Sequence, residues 1–160
     1  MSTMNVLGLD VSLNSTGWAV ITLDDDQLVD CGLICPPEYA QIRDRLAHIR
    51  GQVRRLCDEF TPVETAVEEG IAYRGGRTTR HLAAAWGAAL CGLRDEPQIV
   101  NISTAKRLAT GNGSASKAQM TAAAVERWGP AVDQSDKADA AWVAEVARRI
   151  FLDSMKDADA

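Results

Sequence analysis

Aromatic side chains are scarce in this 160-residue chain, at 5% of positions, and there are only two histidines and four cysteines. Cys31, Cys35, Cys57 and Cys91 form no Cys-x-x-Cys pair, and neither His48 nor His81 stands beside one, which argues against a structural zinc site. Their uneven spacing suggests no disulfide framework either, so free thiols in a reducing, cytoplasmic setting are expected. No run approaches the roughly 20 apolar residues that a bilayer crossing needs, so no membrane partner is expected. Met1-Ser2-Thr3-Met4-Asn5 has no basic segment followed by an apolar one, so no secretory signal is expected. Repeats, low-complexity segments and linkers are missing as well. What remains is 46% apolar and 24% charged, ordinary for a globular chain. A single domain over residues 1–156 is expected, with 157–160 as a frayed tail.

Basic charge is also in deficit overall, with a net charge of −5. Its distribution is uneven. Residues 70–120 hold seven basic side chains (Arg74, Arg77, Arg80, Arg94, Lys106, Arg107, Lys117) against two acids, while the remainder holds ten basic and twenty acidic. A basic middle in an acidic frame suits one face of a domain that attracts a polyanion.

Three short apolar stretches, 6–11, 18–22 and 28–34, are separated by turn residues and predict an antiparallel meander. Ile42, Leu46, Ile49, Val53, Leu56 and Phe60 recur at spacings of three and four, which predicts a helix with one apolar stripe. A fourth strand is expected over 63–69, a helix over 79–93 and a fifth strand over 98–102. A flexible loop follows at 111–114, then helices over 116–128 and from Asp136 to about Met155. Strands first in a meander, then alternating with helices, imply a mixed α/β sheet flanked by helices.

Four acids stand in costly places. Asp10 closes the first strand and shares a face with Gly8. Glu68 and Glu69 close the fourth strand on opposite faces, so only one of them can join Asp10; Glu68 shares a face with Ala66. The expected buried stripe of the last helix is Ala140, Val143, Ala147, Ile150 and Phe151, and extended backward it passes through Asp139 and Asp136. Each acid alone also fits a solvated strand end or an ordinary helix start. Together, four negative charges in one small volume cannot all ionise without cations. Two divalent ions would cancel the formal charge, and an all-oxygen donor set suits Mg²⁺, with Mn²⁺ as substitute. Two such ions about 4 Å apart are the apparatus for in-line attack of water on a phosphodiester.

At these residues the chain resembles the RuvC-type Holliday junction resolvases of the RNase H-like nuclease superfamily. The resemblance is carried by Leu7-Gly8-Leu9-Asp10-Val11-Ser12 with Thr16-Gly17-Trp18-Ala19-Val20, by Ala66-Val67-Glu68, by Gly111-Asn112-Gly113-Ser114-Ala115-Ser116-Lys117-Ala118-Gln119, and by Asp136-Lys137-Ala138-Asp139-Ala140-Ala141, in family order across nearly the whole chain. It implies an RNase H-like fold with a five-stranded mixed sheet in the order 3-2-1-4-5, a homodimer, and Mg²⁺-dependent symmetric nicking of four-way DNA junctions; whether a helicase or branch-migration partner is needed is not given by the sequence. Asp10, Glu68, Asp136 and Asp139 match the family's metal-binding carboxylates, and its strand pattern selects Glu68 over Glu69. Lys117 matches a catalytic lysine beside the scissile phosphate, and Lys106 and Arg107 a basic pair near the bound strand.

The chain departs from the family where an aromatic residue is often proposed to wedge into the junction. Ile71 stands at that place, with Tyr73 two positions on, and either side chain can enter between bases. Arg74, Arg77 and Arg80 form a more basic stretch than the family's, expected to contact phosphate. A sibling nuclease of the same fold with broader branched-DNA or RNA specificity is the alternative. An actin-like or sugar-kinase phosphate module, suggested by Asp10 and Thr16-Gly17, would need a second domain. Ser114-x-x-Lys117 also fits a penicillin-recognising motif, but its companion motifs are missing.

Overall fold

The computed structural model describes residues 3–70 and 76–158. The chain order is β1 (Asn5–Asp10), β2 (Thr16–Thr22), β3 (Leu28–Ile34), α1 (Ile42–Phe60), β4 (Glu64–Glu68), α2 (Arg77–Gly92), β5 (Gln98–Val100), α3 (Ile102–Thr110), α4 (Lys117–Trp128), a single 3₁₀ turn (Pro130–Val132) and α5 (Ser135–Ala158). The sheet runs β3-β2-β1-β4-β5, the order expected. The meander pairs are antiparallel, and β1–β4 and β4–β5 are parallel.

Alternation along the strands sorts the core into two layers. Leu7, Leu9, Val20 and Val67 face α1 and α2, packing with Ile49, Val53, Ala85 and Ala89. Val6, Ala19, Ile21 and Ala66 face α5, whose outer side is covered in turn by α3 and α4. That double cover explains why the α5 residues 138–147 are buried on every side rather than along one stripe. Past Ala147 burial narrows to one side of the helix: Phe151 and Leu152 still pack on the core, whereas Ile150, expected in the buried stripe, is 52% exposed. The helix continues to Ala158, beyond the expected end near Met155 and into the stretch expected to fray.

A second difference lies at residues 101–110. The fifth strand was expected to reach Ile102, with no helix after it. Instead the Asn101 side chain accepts a hydrogen bond from the Ser103 N–H and caps α3, ending β5 at Val100. Local side-chain capping here outcompetes an apolar run too short to continue the sheet.

Glu145 is the one acid of α5 that lies fully inside the protein, at 0% exposure. Arg149 Nε lies 2.7 Å from its carboxylate, Arg127 Nη2 3.2 Å and Arg148 Nη1 3.3 Å. Arg127 also pairs with Asp26 at the β2–β3 turn and lies over the Trp128 and Trp142 rings, so one buried charge ties together α4, α5 and the hairpin tip.

The approach of α5 to the sheet is set by glycine. A Cβ on Gly8 would lie 2.2 Å from the Ala140 carbonyl oxygen and 2.6 Å from the Ala144 nitrogen, both backbone atoms. Gly8→Ala is therefore expected to push α5 off β1 and lower stability by about 2 kcal/mol or more, a drop of roughly 4–8 °C in melting temperature. Gly51→Ala is the control. Its Cβ would meet nothing within 4 Å in the middle of α1, and it is expected to stabilise by about 0.5–1 kcal/mol. Thermal denaturation of the two variants measures both; equal midpoints would remove the close-approach account.

Candidate active site

β1 and β4 are parallel neighbours in the register Gly8↔Ala66 and Leu9↔Val67, so one step further places Asp10 beside Glu68 at the same end of the sheet. Their Cβ atoms point to the α5 side, as those of Val6 and Ala66 do. The Trp86 indole donates a 3.2 Å hydrogen bond to the Glu68 carbonyl and ties down the end of β4. From above, the first turns of α5 come down on β2 as closely as the middle of the helix does on β1: a Cβ on Gly17 would lie 2.0 Å from the Asp136 carbonyl oxygen. One turn further along α5, Asp139 is brought over the strand ends.

Ligand atoms of Asp10, Glu68 and Asp139 all lie within 4.8 Å of one another. Asp139 is 6% exposed, and Asp10 and Glu68 are half-buried. Burial, reinforced by the negative charges of Glu68, Asp139 and Asp136, pushes the Asp10 carboxyl up to about 8. Burial and then Asp139 raise Glu68 to about 7, and burial raises Asp139. Lys117 opposes all three shifts, and Lys106 opposes those of Glu68 and Asp139. Among the described residues, the buried Glu68 Oε2 has no hydrogen-bond partner.

Three oxygen donors at this separation, two of them held far above the carboxylate range and one carrying an orphaned acceptor, fit a hard divalent cation. Asp10, Glu68 and Asp139 would hold it.

Asp136 lies outside that three-acid group. It is near enough for its charge to act on Asp10 and Asp139, and its Oδ2 accepts a 2.8 Å hydrogen bond from the Ser15 hydroxyl. Lys117 occupies the first turn of α4, after a capping box formed by Ser116 and Gln119. Lys106 and Arg107 sit side by side on α3 but separate in environment. Lys106 is half-buried and acts on the acids, whereas Arg107 is exposed and packs against Gly113. The family resemblance gives them as a pair, and the helix places the two neighbours in different surroundings. Arg77 and Arg80 are exposed in the first turn of α2, with no ion pair among the described residues. Ile71, Tyr73 and Arg74 lie outside the described residues.

A mixed sheet in this order, with carboxylates converging across its central parallel pair and a helix laid over them, has the RNase H-like architecture. Residues 6–147 match the family model described as crossover junction endodeoxyribonuclease RuvC. The crossover junction endodeoxyribonuclease RuvC of Xanthobacter autotrophicus is 34% identical over 129 residues, covering 75% of this chain and 74% of that protein. The protein of the same name from Gluconobacter oxydans is 34% identical over 123 residues, covering 74% and 73%. Among solved structures, T. thermophilus RuvC in complex with a Holliday junction substrate has the same fold, with a TM-score of 0.81 at 22% identity over 96% of each chain. The chain belongs to the RuvC family of crossover junction endodeoxyribonucleases.

The raised carboxyls carry a stability prediction for the metal-free protein. Asp10 and Glu68 have folded-state pKa values above their unfolded ones. Their contribution is therefore fully present below about pH 4 and is lost as pH rises through 7 and 8. Metal-free protein is expected to lose thermal stability between about pH 5 and pH 8, and Asp10→Asn to flatten that loss. Mg²⁺ is expected to raise the melting temperature more at pH 8.5 than at pH 6, by mass action on the ionised site. Melting curves with and without chelator check both; a pH slope identical in Asp10→Asn would count against the coupling.

Proposed function

We propose that this chain is a divalent-metal-dependent, structure-selective DNA endonuclease that resolves four-way junctions by paired, symmetric nicks. The observation that carries the proposal is the convergence of Asp10, Glu68 and Asp139 within 4.8 Å at one end of the sheet. Membership of the RuvC family supports the substrate class. Asp136, on the first turn of α5, completes the set as a fourth carboxylate.

Mg²⁺, taken as two ions with Mn²⁺ as substitute, would neutralise the cluster and supply Lewis-acid activation of water and of the leaving oxygen. The protein's own contribution is placement. The carboxylates are carried by β1, β4 and α5, so their spacing is fixed by packed elements rather than by a loop. In the reaction a water oxygen bonds to phosphorus as the bond to one sugar oxygen breaks. Lys117, at the border of the acid cluster, is suited to hold the scissile phosphate and face the charge that grows on its non-bridging oxygens. Lys106 lies on the same side, and its charge offsets the acids in the same way.

Arg77, Arg80 and Arg107 present exposed guanidinium groups suited to the DNA backbone. A four-way junction has two-fold symmetry, so a homodimer would bring one site to each of two opposed strands. Trp86 and Leu90 of α2 are half-buried against the α1-side core, and the α2 surface beyond them is the surface proposed for the second copy. A branch-migration helicase would supply junctions in a cleavable position.

With a synthetic four-way junction and Mg²⁺, the full chain is expected to give paired nicks at symmetric positions. Asp10→Asn and Asp139→Asn should each lower the cleavage rate at least about a hundredfold while retaining junction binding. Flaps, RNA–DNA hybrids and plain duplexes run beside the junction distinguish a resolvase from a broader nuclease of the same fold. Absence of cleavage with Mg²⁺ and with Mn²⁺ would overturn the proposal. Arg77→Ala and Arg80→Ala are each expected to weaken junction binding uniformly across sequences and to reduce the salt slope by about one. Gel-shift titrations at several salt concentrations read this out, and sedimentation at micromolar concentration reads the dimer.

A further inference from the structure

Asp136 is held by contacts unlike those of the other three acids. Its Oδ2 accepts the Ser15 hydroxyl at 2.8 Å, while among the described residues Oδ1 has a 3.5 Å contact from the Ser135 hydroxyl. Directly beneath it, Gly17 leaves no room for a side chain, because a Cβ there would lie 2.0 Å from the Asp136 carbonyl oxygen and 2.9 Å from its Cβ. Asp136 is therefore met twice from the sheet, on its carboxylate by Ser15 of the β1–β2 connection and under its backbone by Gly17 of β2.

Ser15 is itself held in place. The Ser12 hydroxyl donates to the Ser15 carbonyl at 2.8 Å and accepts from the Ser15 N–H at 3.1 Å. Thr16, fully buried, donates its hydroxyl to the Ser12 carbonyl at 2.8 Å and accepts from the Ser12 N–H at 3.2 Å. These bonds interlace residues 12–16 into one turn that starts two residues after Asp10. The same turn that leaves Asp10 on the strand end thus aims a hydroxyl at the carboxylate on α5.

The geometry points to Ser15 as a positioning residue for Asp136. By occupying Oδ2 it would set the plane of that carboxylate and leave Oδ1 as the oxygen available to a divalent ion. This assignment rests on the proposed role of Asp136 in holding a divalent ion. Hydrogen bonds to a metal-ligating carboxylate orient it and raise affinity, and their loss typically costs about 10–100-fold in metal binding.

The test is Mn²⁺ binding to the full chain without DNA, followed by calorimetry and by the electron spin resonance of the free ion. Ser15→Ala is expected to weaken Mn²⁺ binding about tenfold, and Ser15→Thr, which keeps the hydroxyl, to stay within about threefold of the native chain. In an Asp136→Asn background, Ser15→Ala should add no further loss, because its target is gone. In junction cleavage, Ser15→Ala should raise the Mg²⁺ concentration for half-maximal rate more than it lowers the rate at saturating Mg²⁺. Melting of the metal-free protein within about 2 °C of native separates a positioning role from general destabilisation. Native-like Mn²⁺ affinity in Ser15→Ala alongside weakened affinity in Asp136→Asn would overturn the Ser15 assignment alone. Additive losses in the double variant would do the same. Native affinity in Asp136→Asn would remove Asp136 from the metal site and Ser15 with it, leaving the three-acid cluster to be judged by Asp10→Asn.

Discussion

The close seat of α5 on the sheet is the contact that everything else in this domain depends on. β1 and β2 offer glycine at the two places where the helix crosses them, Gly8 beneath Ala140 and Ala144, and Gly17 beneath Asp136. Backbone against backbone at that distance leaves little freedom for the helix to slide or tilt. The first turns of α5 are therefore delivered to the strand ends, and Asp139 meets Asp10 and Glu68 although the three come from distant parts of the chain. A helix set a side chain's width further out would keep its fold and scatter its acids.

The same helix buries acids in two ways that show what kind of site this is. Glu145 is surrounded by three guanidinium groups and needs nothing from outside the protein. Asp139, less than two turns away, has no ion pair within the described residues and lies beside two further carboxyls. Lys106 and Lys117 moderate its surroundings without pairing with it. Burial of uncompensated charge is costly, so the first arrangement serves stability, while the second leaves a debt of charge suited to a cation and to the polyanion that follows it.

Much of this was readable from residue order alone. The meander, the helix periodicities and the alternation that puts Glu68 and Asp10 on one face all follow from periods of 2 and 3.6, which are local properties. The sheet order came with the family resemblance and holds in the structure. What escaped was short-range competition and long-range cover. Asn101 belonged to a cap rather than a strand, a choice decided by a hydrogen bond to Ser103. Ile150 matched the stripe in spacing, but at that level of α5 only Phe151 and Leu152 meet the core and Ile150 is left outside it. For Glu145 the local signal is Arg148 and Arg149 at helical spacing, while Arg127 reaches it only in the folded chain.

The sequence by itself determined which carboxylates end strands, which begin a helix, and that the basic residues gather in the middle of the chain, because these depend only on neighbours a few positions apart. Tertiary structure alone decided that three of the four acids draw within a few ångströms while Asp136 stands beside them on the hydroxyl of Ser15. It also decided that Lys106 turns to the acids and Arg107 away. Distances between elements are set by packing of surfaces that meet only in the folded chain, and no local periodicity encodes them.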